Sequence, residues 1–491
     1  MLSAPQFGVI YAHKKEGKSL AAHKHTRDAN PNLNGSAKTP PQHTGRPYVI
    51  SHHVRTVVAC IVIAALVFAA SAAAAVWINF DSAIRTRSVD FLEQNGEQEE
   101  VIDPNAGKPI TFVVIGQDTR DGGNASLSGG TEADMGDHQA DTTMVVQISA
   151  DRSYVNLVSI PRDSLVDVPS CHTSNGTIPA QQGVMFNSIF STAYREGGNL
   201  SSAASCTVQA VNSLTGLHIK NFIVVDFQGL YKMINALGGV DICIPTDLSD
   251  TYTELTLKKG MHHLNGLQAT QYARMRHGEG TDGSDIMRTT RQQYLVKAIF
   301  KEALKKNLLT QSSQLYQLAL AAIESLNISS GMANTSALVG LAMSLVHLKV
   351  DHIYAQTVPI TVAPYDPNRV VWTQAADEVW QKFKEDKPLY GSASEGHKTQ
   401  DEHKPEATQK PTEEPKASEE AAKPEESQEP QDTGTLDPKT GLLVMKDGTL
   451  IDPNTGGIVD PDTGAIKDPT TEQYIGTADR YINYTVCGVT E

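Results

Sequence analysis

Four arginines, Arg274, Arg276, Arg288 and Arg291, fall within eighteen residues of a chain whose formal net charge is −15. Guanidiniums crowded together repel one another. A fold keeps them close where an anion belongs, and the planar guanidinium fork suits phosphate oxygens. The loop between the two pairs, GEGTDGSD, holds three glycines and three acids and can bend around a ligand. The plainer alternative is a solvated basic helix end. Three further stretches bear on the cluster. Asp118 and Arg120 lie in GQDTR, directly after an apolar β-type run, ITFVVIG (110–116). Asp141 opens the next such run in ADTT, and Arg162 follows the one after in SIPRD. In α/β sheets ligands sit at strand ends. Magnesium held by one or two carboxylates plus substrate phosphates is a usual arrangement. Singly, an Asp at a strand end is most often a turn residue. Together these residues describe a pyrophosphate–metal site.

The elements that must position them follow from hydrophobic periodicity. Runs 142–149 and 154–161 read as strands joined by a hairpin turn, ADRS. Phe186–Gly198 reads as a helix stopped at glycines, and Ala203–Leu214 as another. NFIVVDF (221–227) is a strand, Gln228–Leu237 a helix stopped by Gly238, and VDICIP (240–245) a strand. Tyr294–Leu308 and Thr335–Leu348 are amphipathic helices, 351–360 a late strand and Gln374–Glu385 a closing helix. Strands and helices interleave, so the class is α/β, with helices covering both faces of a sheet.

Around this region, 109–389, the chain changes character several times. Residues 1–55 carry eight Lys/Arg against two acids, with no sustained apolar period, and read as a disordered basic segment. Residues 56–78 run 23 positions without a charge. At ~1.5 Å per residue that spans a ~30 Å hydrocarbon core. It is too long and too far from the start for the apolar part of a cleaved signal peptide. The basic flank before it predicts a cytoplasmic N-terminus and an extracellular remainder. Residues 79–108 read as a stalk. Residues 390–434 read as a disordered acidic linker, with twelve acids and five lysines in 391–432. In 435–491 the unit Asp-Pro-x-Thr-Gly recurs at 437, 452 and 460, which is turn chemistry between short β-type runs. A spacer is the simpler role for this module, a glycan contact the sharper one. Cys60 lies in the apolar span. Cys171, Cys206, Cys243 and Cys487 lie beyond it and either stay free or pair in one of three ways. We expect Cys171–Cys206, which leaves Cys243–Cys487.

Seven stretches in order resemble the LytR–CpsA–Psr cell-wall glycopolymer ligases. They are VVIGQDTR (113–120), ADTTMVVQIS (140–149), VNLVSIPRD (155–163), FNSIFSTAYREGG (186–198), VVDFQGLYKMINALGGVDICIP (224–245), LNGLQATQYARMRH (264–277) and DGSDIMRTTRQQ (282–293). They span about residues 110–385, and Cys243 and Cys487 look like the actinobacterial branch. The resemblance implies a central mixed β-sheet covered by helices on both faces, behind a single N-terminal transmembrane helix. It implies a membrane-anchored phosphotransferase that moves a glycopolymer from a polyprenyl-pyrophosphate carrier to the muramic acid 6-hydroxyl of peptidoglycan. By motif, Asp118 and Asp141 would hold Mg2+ or Mn2+. Arg162, Arg274, Arg276, Arg288 and Gln292 would bind the pyrophosphate. Arg120, with Asp118 and Arg288, would act at the reacting centre. The lipid would need an apolar channel, expected from segments such as Phe222–Phe227 and Leu230–Leu237.

Two departures stand out. Gln139-Ala140 precedes Asp141 where the family often has Arg-Ser, and a Gly-rich insertion (122–139) bringing Asp134 and Asp137 lengthens the gap from Asp118. His138 in that insertion reads as solvated. Competing functions are a polyprenyl-pyrophosphate pyrophosphatase using the same residues, a transcriptional attenuator, and a wall-binding protein without catalysis. The basic N-terminus has no helix-turn-helix pattern, so nucleic acid is not an expected partner. Sugar binding alone does not require the arginine–carboxylate set.

Overall fold

The computed structural model describes residues 46–94, 101–121, 124, 127, 138–306, 312–390 and 434–489. The acidic linker, apart from its end residues, and Asp134 and Asp137 of the insertion lie outside them. The chain divides into two units, Met1–Ala70 and Ser71–Glu491, each described by itself. Helix α1, Arg46–Thr86, begins ten residues before the uncharged run, with Pro47 tolerated in its first turn. Its stretch His53–Thr86 is the one described helix long and apolar enough to cross a membrane.

In the second unit a seven-stranded mixed sheet carries the site. Its strands are β1 (Ser88–Val89), β2 (Ile110–Thr119), β3 (His138–Ile148), β4 (Val155–Ile160), β5 (Phe222–Asp226), β6 (Leu326–Ser329) and β7 (Ile353–Thr357), in the order β1-β6-β5-β2-β3-β4-β7. β2–β3–β4 form an antiparallel meander, while β2 pairs β5, and β4 pairs β7, in parallel. Alternation along β2 assigns its faces. Val113 and Ile115 join the core beneath helices α2 (Phe186–Gly197) and α3 (Leu200–Thr215). Ile110 and Phe112 join the core on the opposite face. Helices therefore cover both faces of the sheet, as the interleaved pattern predicts.

Helices α4 (Phe227–Leu237), α5 (Gly266–Arg274) and α6 (Asp285–Lys305) pack around a second core with the hairpin Val240–Ile244/Gly260–Leu264. VDICIP thus forms a strand of this hairpin, outside the main sheet. α6 starts nine residues before the predicted Tyr294, because Ser284 caps it by accepting the Met287 N–H at 3.1 Å. α7 (Ser312–Ser325) and α8 (Thr335–Ser344) precede and follow β6, and α9 (Ala375–Lys384) seats Trp380 and Phe383 in the first core.

Part of the segment read as a stalk packs on the domain. β1 extends the sheet, Phe91 is buried, and Gln94 bonds both backbone groups of His172 at 2.8 and 2.9 Å. Its apolar residues Ile84 and Phe91, interspersed among polar ones, are what the compositional reading underweighted. The C-terminal module is likewise docked. Six two- to four-residue strands from Thr435 to Thr477 form an antiparallel meander. At each turn the Asp side chain accepts a backbone N–H two or three residues on, and Gly441, Gly456 and Gly464 take positive φ. Helix α10 (Asp479–Thr485) then packs Ile482 into the second core. Tyr294 Oη donates to Asn483 at 2.9 Å, Lys297 pairs Asp479 at 2.7 Å, and Cys487 is bonded to Cys243. Cys171 and Cys206 form the other disulfide, tying the Cys171–Thr173 strand to α3.

Candidate functional site

The strand ends and two helix ends bring the singled-out residues together. Between β2 and β3 the register shifts at Gly116/Gln117: Gly116 faces Thr142 and Gln117 faces Ala140. Asp141 is left over as the bulged residue, a geometry that re-aims a side chain. Glycine is needed opposite it, because a Cβ at position 116 would lie 2.9 Å from Thr142 Cβ. Arg162, just past β4, donates from Nη1 to Asp141 Oδ1 at 2.8 Å. Arg288, in the first turn of α6, reaches the same carboxylate at 3.4 Å and donates to the Asp141 carbonyl at 3.0 Å. Burial opposes the Asp141 charge, but Arg288, then Arg162, outweigh it and hold the pKa below its ordinary value.

Asp285, the first residue of α6, is the group the sequence reading passed over. It pairs with Arg288 and with Arg162 Nε at 3.3 Å. Burial pushes its carboxyl up despite those partners. Asp163 links outward, meeting Arg369 at 3.3 Å and Arg162 at 3.8 Å. Had α6 been started at its Ser284 cap, the Asp285–Arg288 spacing of three would have marked the pair.

The end of α5 supplies the other two arginines, on either side of fully buried Met275. Arg274 lies over the Phe227 ring at 4.8 Å and donates to the Leu127 carbonyl at 2.9 Å. Burial lowers its pKa, and the charges of Asp118, Arg120, Asp141 and Arg288 all act on it, so it stands among both carboxylates. Arg276 shares with Arg162 and Arg288 an Nε that is buried with no hydrogen-bond partner, but unlike them it pairs with no carboxylate among the described residues. Burial, then repulsion from Arg162 and Arg288, lowers its pKa. Asp118 pairs Arg120 at 3.1 Å. Gln292 accepts from Thr142 Oγ1 at 2.8 Å and donates to the Ala273 carbonyl at 3.1 Å, bracing α6 against β3 and α5. Arg291, counted among the clustered four, turns inward instead. It is buried and donates to the Met275 carbonyl, holding the chain between Arg274 and Arg276.

His138 is not solvated. It is buried, stacked on Tyr194 with ring centroids 3.6 Å apart, bonded to Gln117 at 2.6 Å, and 3.3 Å from Asp121. Its place in β3 opposite Thr119 brings it onto the sheet, which the insertion's composition hides. The segments expected to line an apolar channel divide by alternation. Phe222 and Val224 are packed shut, as are Ile234 and Leu237, while Ile223, Val225 and Leu230 are only half-buried. No group of three or more His, Cys, Asp or Glu suited to a metal occurs among the described residues. The carboxylates at the arginine cluster are Asp118, Asp141, Asp163 and Asp285, of which Asp118 and Asp141 are the two the resemblance singles out.

The α/β domain thus brings arginines from four elements onto carboxylates at its strand ends. The LytR_cpsA_psr family model matches residues 78–387, well over half the chain, and the protein belongs to that family. Cell wall biosynthesis protein LcpA of Corynebacterium glutamicum is 26% identical over 273 residues, 53% of this chain and 52% of that one. TagV of Bacillus subtilis, a polyisoprenyl-teichoic acid–peptidoglycan teichoic acid transferase by name, is 30% identical over 166 residues, 33% of this chain and 38% of that one. The structure of a LytR-Csp2A-Psr enzyme from Actinomyces oris aligns with TM-score 0.43 at 20% identity, over 60% of this chain and 94% of that one. The chain spans about half the length of the curated relatives it matches.

Proposed function

We propose that this protein is a membrane-anchored phosphotransferase that moves a glycopolymer from a polyprenyl-pyrophosphate carrier to a peptidoglycan hydroxyl, the muramic acid 6-hydroxyl. The reading rests on one observation above others: Arg276, which pairs with no carboxylate among the described residues, is held beside Arg162 and Arg288. A cation held against like charges in the free protein is a place kept for an anion.

The pyrophosphate is gripped by Arg162, Arg274, Arg276 and Arg288, with Gln292 bracing the wall they line. Phosphoryl transfer asks mainly for positioning and for neutralised charge. The acceptor oxygen bonds to the phosphorus nearer the glycan, the bridging P–O bond breaks, and polyprenyl phosphate leaves with its electrons. The hydroxyl proton passes to water or to the leaving phosphate. Arg120, paired with Asp118, steadies the phosphates beside the acceptor.

Asp118 and Asp141 would hold Mg2+ or Mn2+, which suits two carboxylates completed by substrate phosphates. When bound, the ion would supply further neutralisation of phosphate charge. Both carboxylates are engaged by arginines, and phosphates that draw those arginines off would release oxygens for the ion. The half-buried Ile223, Val225 and Leu230 offer apolar surface for the lipid. By the positive-inside rule, the basic residues ahead of the uncharged run favour a cytoplasmic N-terminus and a catalytic domain outside the cell membrane.

The test is to incubate the full-length chain in detergent with a lipid-linked glycan, Mg2+ and peptidoglycan, and to analyse the wall after lysozyme digestion. The expected product is a phosphodiester between glycan and muramic acid. Release of phosphorylated glycan into solution with none on the wall would mark a pyrophosphatase instead.

A further inference from the structure

Between Asn334 and Lys349 the chain runs fourteen residues, TSALVGLAMSLVHL, with no Asp, Glu, Lys or Arg. Helix α8 forms from its first ten. A helix apolar all round belongs in a core or a membrane, and a surface helix normally carries a polar face. One side of α8 does pack inward: Leu338, Leu341 and Leu345 lie against the core that holds Ile110 and Phe112, and Gly340 meets Pro104. The opposite side does not. Val339 and Met343, at i and i+4, are 51% and 62% exposed, and Val346, in the turn just after the helix, is 38% exposed. Spacing of that kind is one stripe on one face.

The place of that stripe says what covers it. Thr335, the first residue of α8, donates to Asp81 Oδ1 at 3.3 Å. Asp81 is the first charged residue after Arg55 and follows the exposed apolar Trp77 and Ile78 of α1 by a few residues. If α1 crosses a bilayer, Asp81 marks where hydrocarbon gives way to headgroups, and α8 begins at that depth. Exposed Lys349 ends the uncharged run, as a basic residue facing anionic headgroups would.

We infer that α8 is a second membrane contact, an interfacial helix whose exposed Val339 and Met343, continued by Val346 in the following turn, lie in the headgroup–acyl boundary beside α1. Such a helix buries its apolar face roughly 5–10 Å into the interface. It would set the height and tilt of the domain at a second point besides α1. The occupant is the lipid surface. The inference depends on α1 spanning the bilayer and not on the transferase reading.

The experiment uses the full chain with Cys60→Ser, reconstituted one copy per nanodisc in phosphatidylglycerol–phosphatidylethanolamine. Spin labels are placed singly at Val339→Cys and Met343→Cys, both exposed enough to leave the core untouched. Leu66→Cys serves as the acyl-chain reference and Tyr365→Cys, at a 74% exposed residue, as the aqueous one. Collision with oxygen against collision with a water-soluble nickel chelate reads depth. The labels at 339 and 343 should favour oxygen, between the two references. Values equal to Tyr365→Cys would overturn the inference. So would shielding from both reagents, which would mean a protein covers the stripe.

Discussion

Replacing Arg276 by alanine should separate binding from stability, with opposite signs. In the free protein its Nε has no hydrogen-bond partner, and repulsion from Arg162 and Arg288 ranks ahead of the attraction of Asp285 and Asp163. Removing the charge relieves that repulsion, so thermal stability should hold or rise. The gain should be no more than about 1 kcal/mol, or roughly 2–4 °C in Tm for a domain of this size. With pyrophosphate bound the same substitution removes a charge-assisted hydrogen bond, worth about 1.5–3 kcal/mol. That corresponds to a loss of roughly 10- to 150-fold in affinity for the lipid diphosphate and in transfer at low substrate. Differential scanning fluorimetry and a transfer assay on the same preparation measure both quantities. A Tm lower by several degrees with transfer intact would show that Arg276 is a structural residue, and the argument from the unpartnered cation would fail.

Four other outcomes follow from the same geometry. Arg288→Ala should abolish transfer and also destabilise by about 3–5 kcal/mol, because buried Asp285 and Asp141 each lose a partner; denaturant unfolding would measure this. Asp118→Ala should abolish transfer with a change below about 1 kcal/mol, since its pair with Arg120 is part-exposed, and wild-type rates would remove it from the site. Arg288 and Arg162 hold the folded Asp141 carboxyl below its ordinary pKa, so its contribution to stability is present above about pH 4 and lost as pH falls through the folded value. Acid unfolding followed by circular dichroism should therefore be less steep below about pH 4 in Asp141→Asn than in wild type. Cys487→Ser opens a link across a sequence separation of 244, for which chain entropy allows up to about 5 kcal/mol; unchanged urea unfolding would show the C-terminal module held by its other contacts alone.

Much of this was legible in the sequence, and for identifiable reasons. The β-branched runs of β2 to β5 and β7, and the glycine stops at Gly198 and Gly238, are local signals that tertiary packing does not override. The site residues stood out because arginine clustering is costly without a purpose. What escaped was non-local or masked by composition. Asp285 looked like part of a flexible glycine loop, although Ser284 makes it the start of α6. The bulge that aims Asp141 at Arg162 and Arg288 depends on strand register, which no single run reveals. β1 and β6 are two and four residues long and exist through pairing with each other and with β5. The docking of the Asp-Pro-x-Thr-Gly module rests on Ile482 and Cys487, tens of residues from the repeats' own pattern.

The central claim is that these arginines are arranged for a diphosphate. It is tested most directly by titrating short-chain polyprenyl diphosphate, and the matching monophosphate, into the full-length protein with Mg2+ by calorimetry. The diphosphate should bind at least tenfold tighter, with the difference lost in Arg276→Ala. Equal affinity for the two ligands, unaffected by that substitution, would contradict the account.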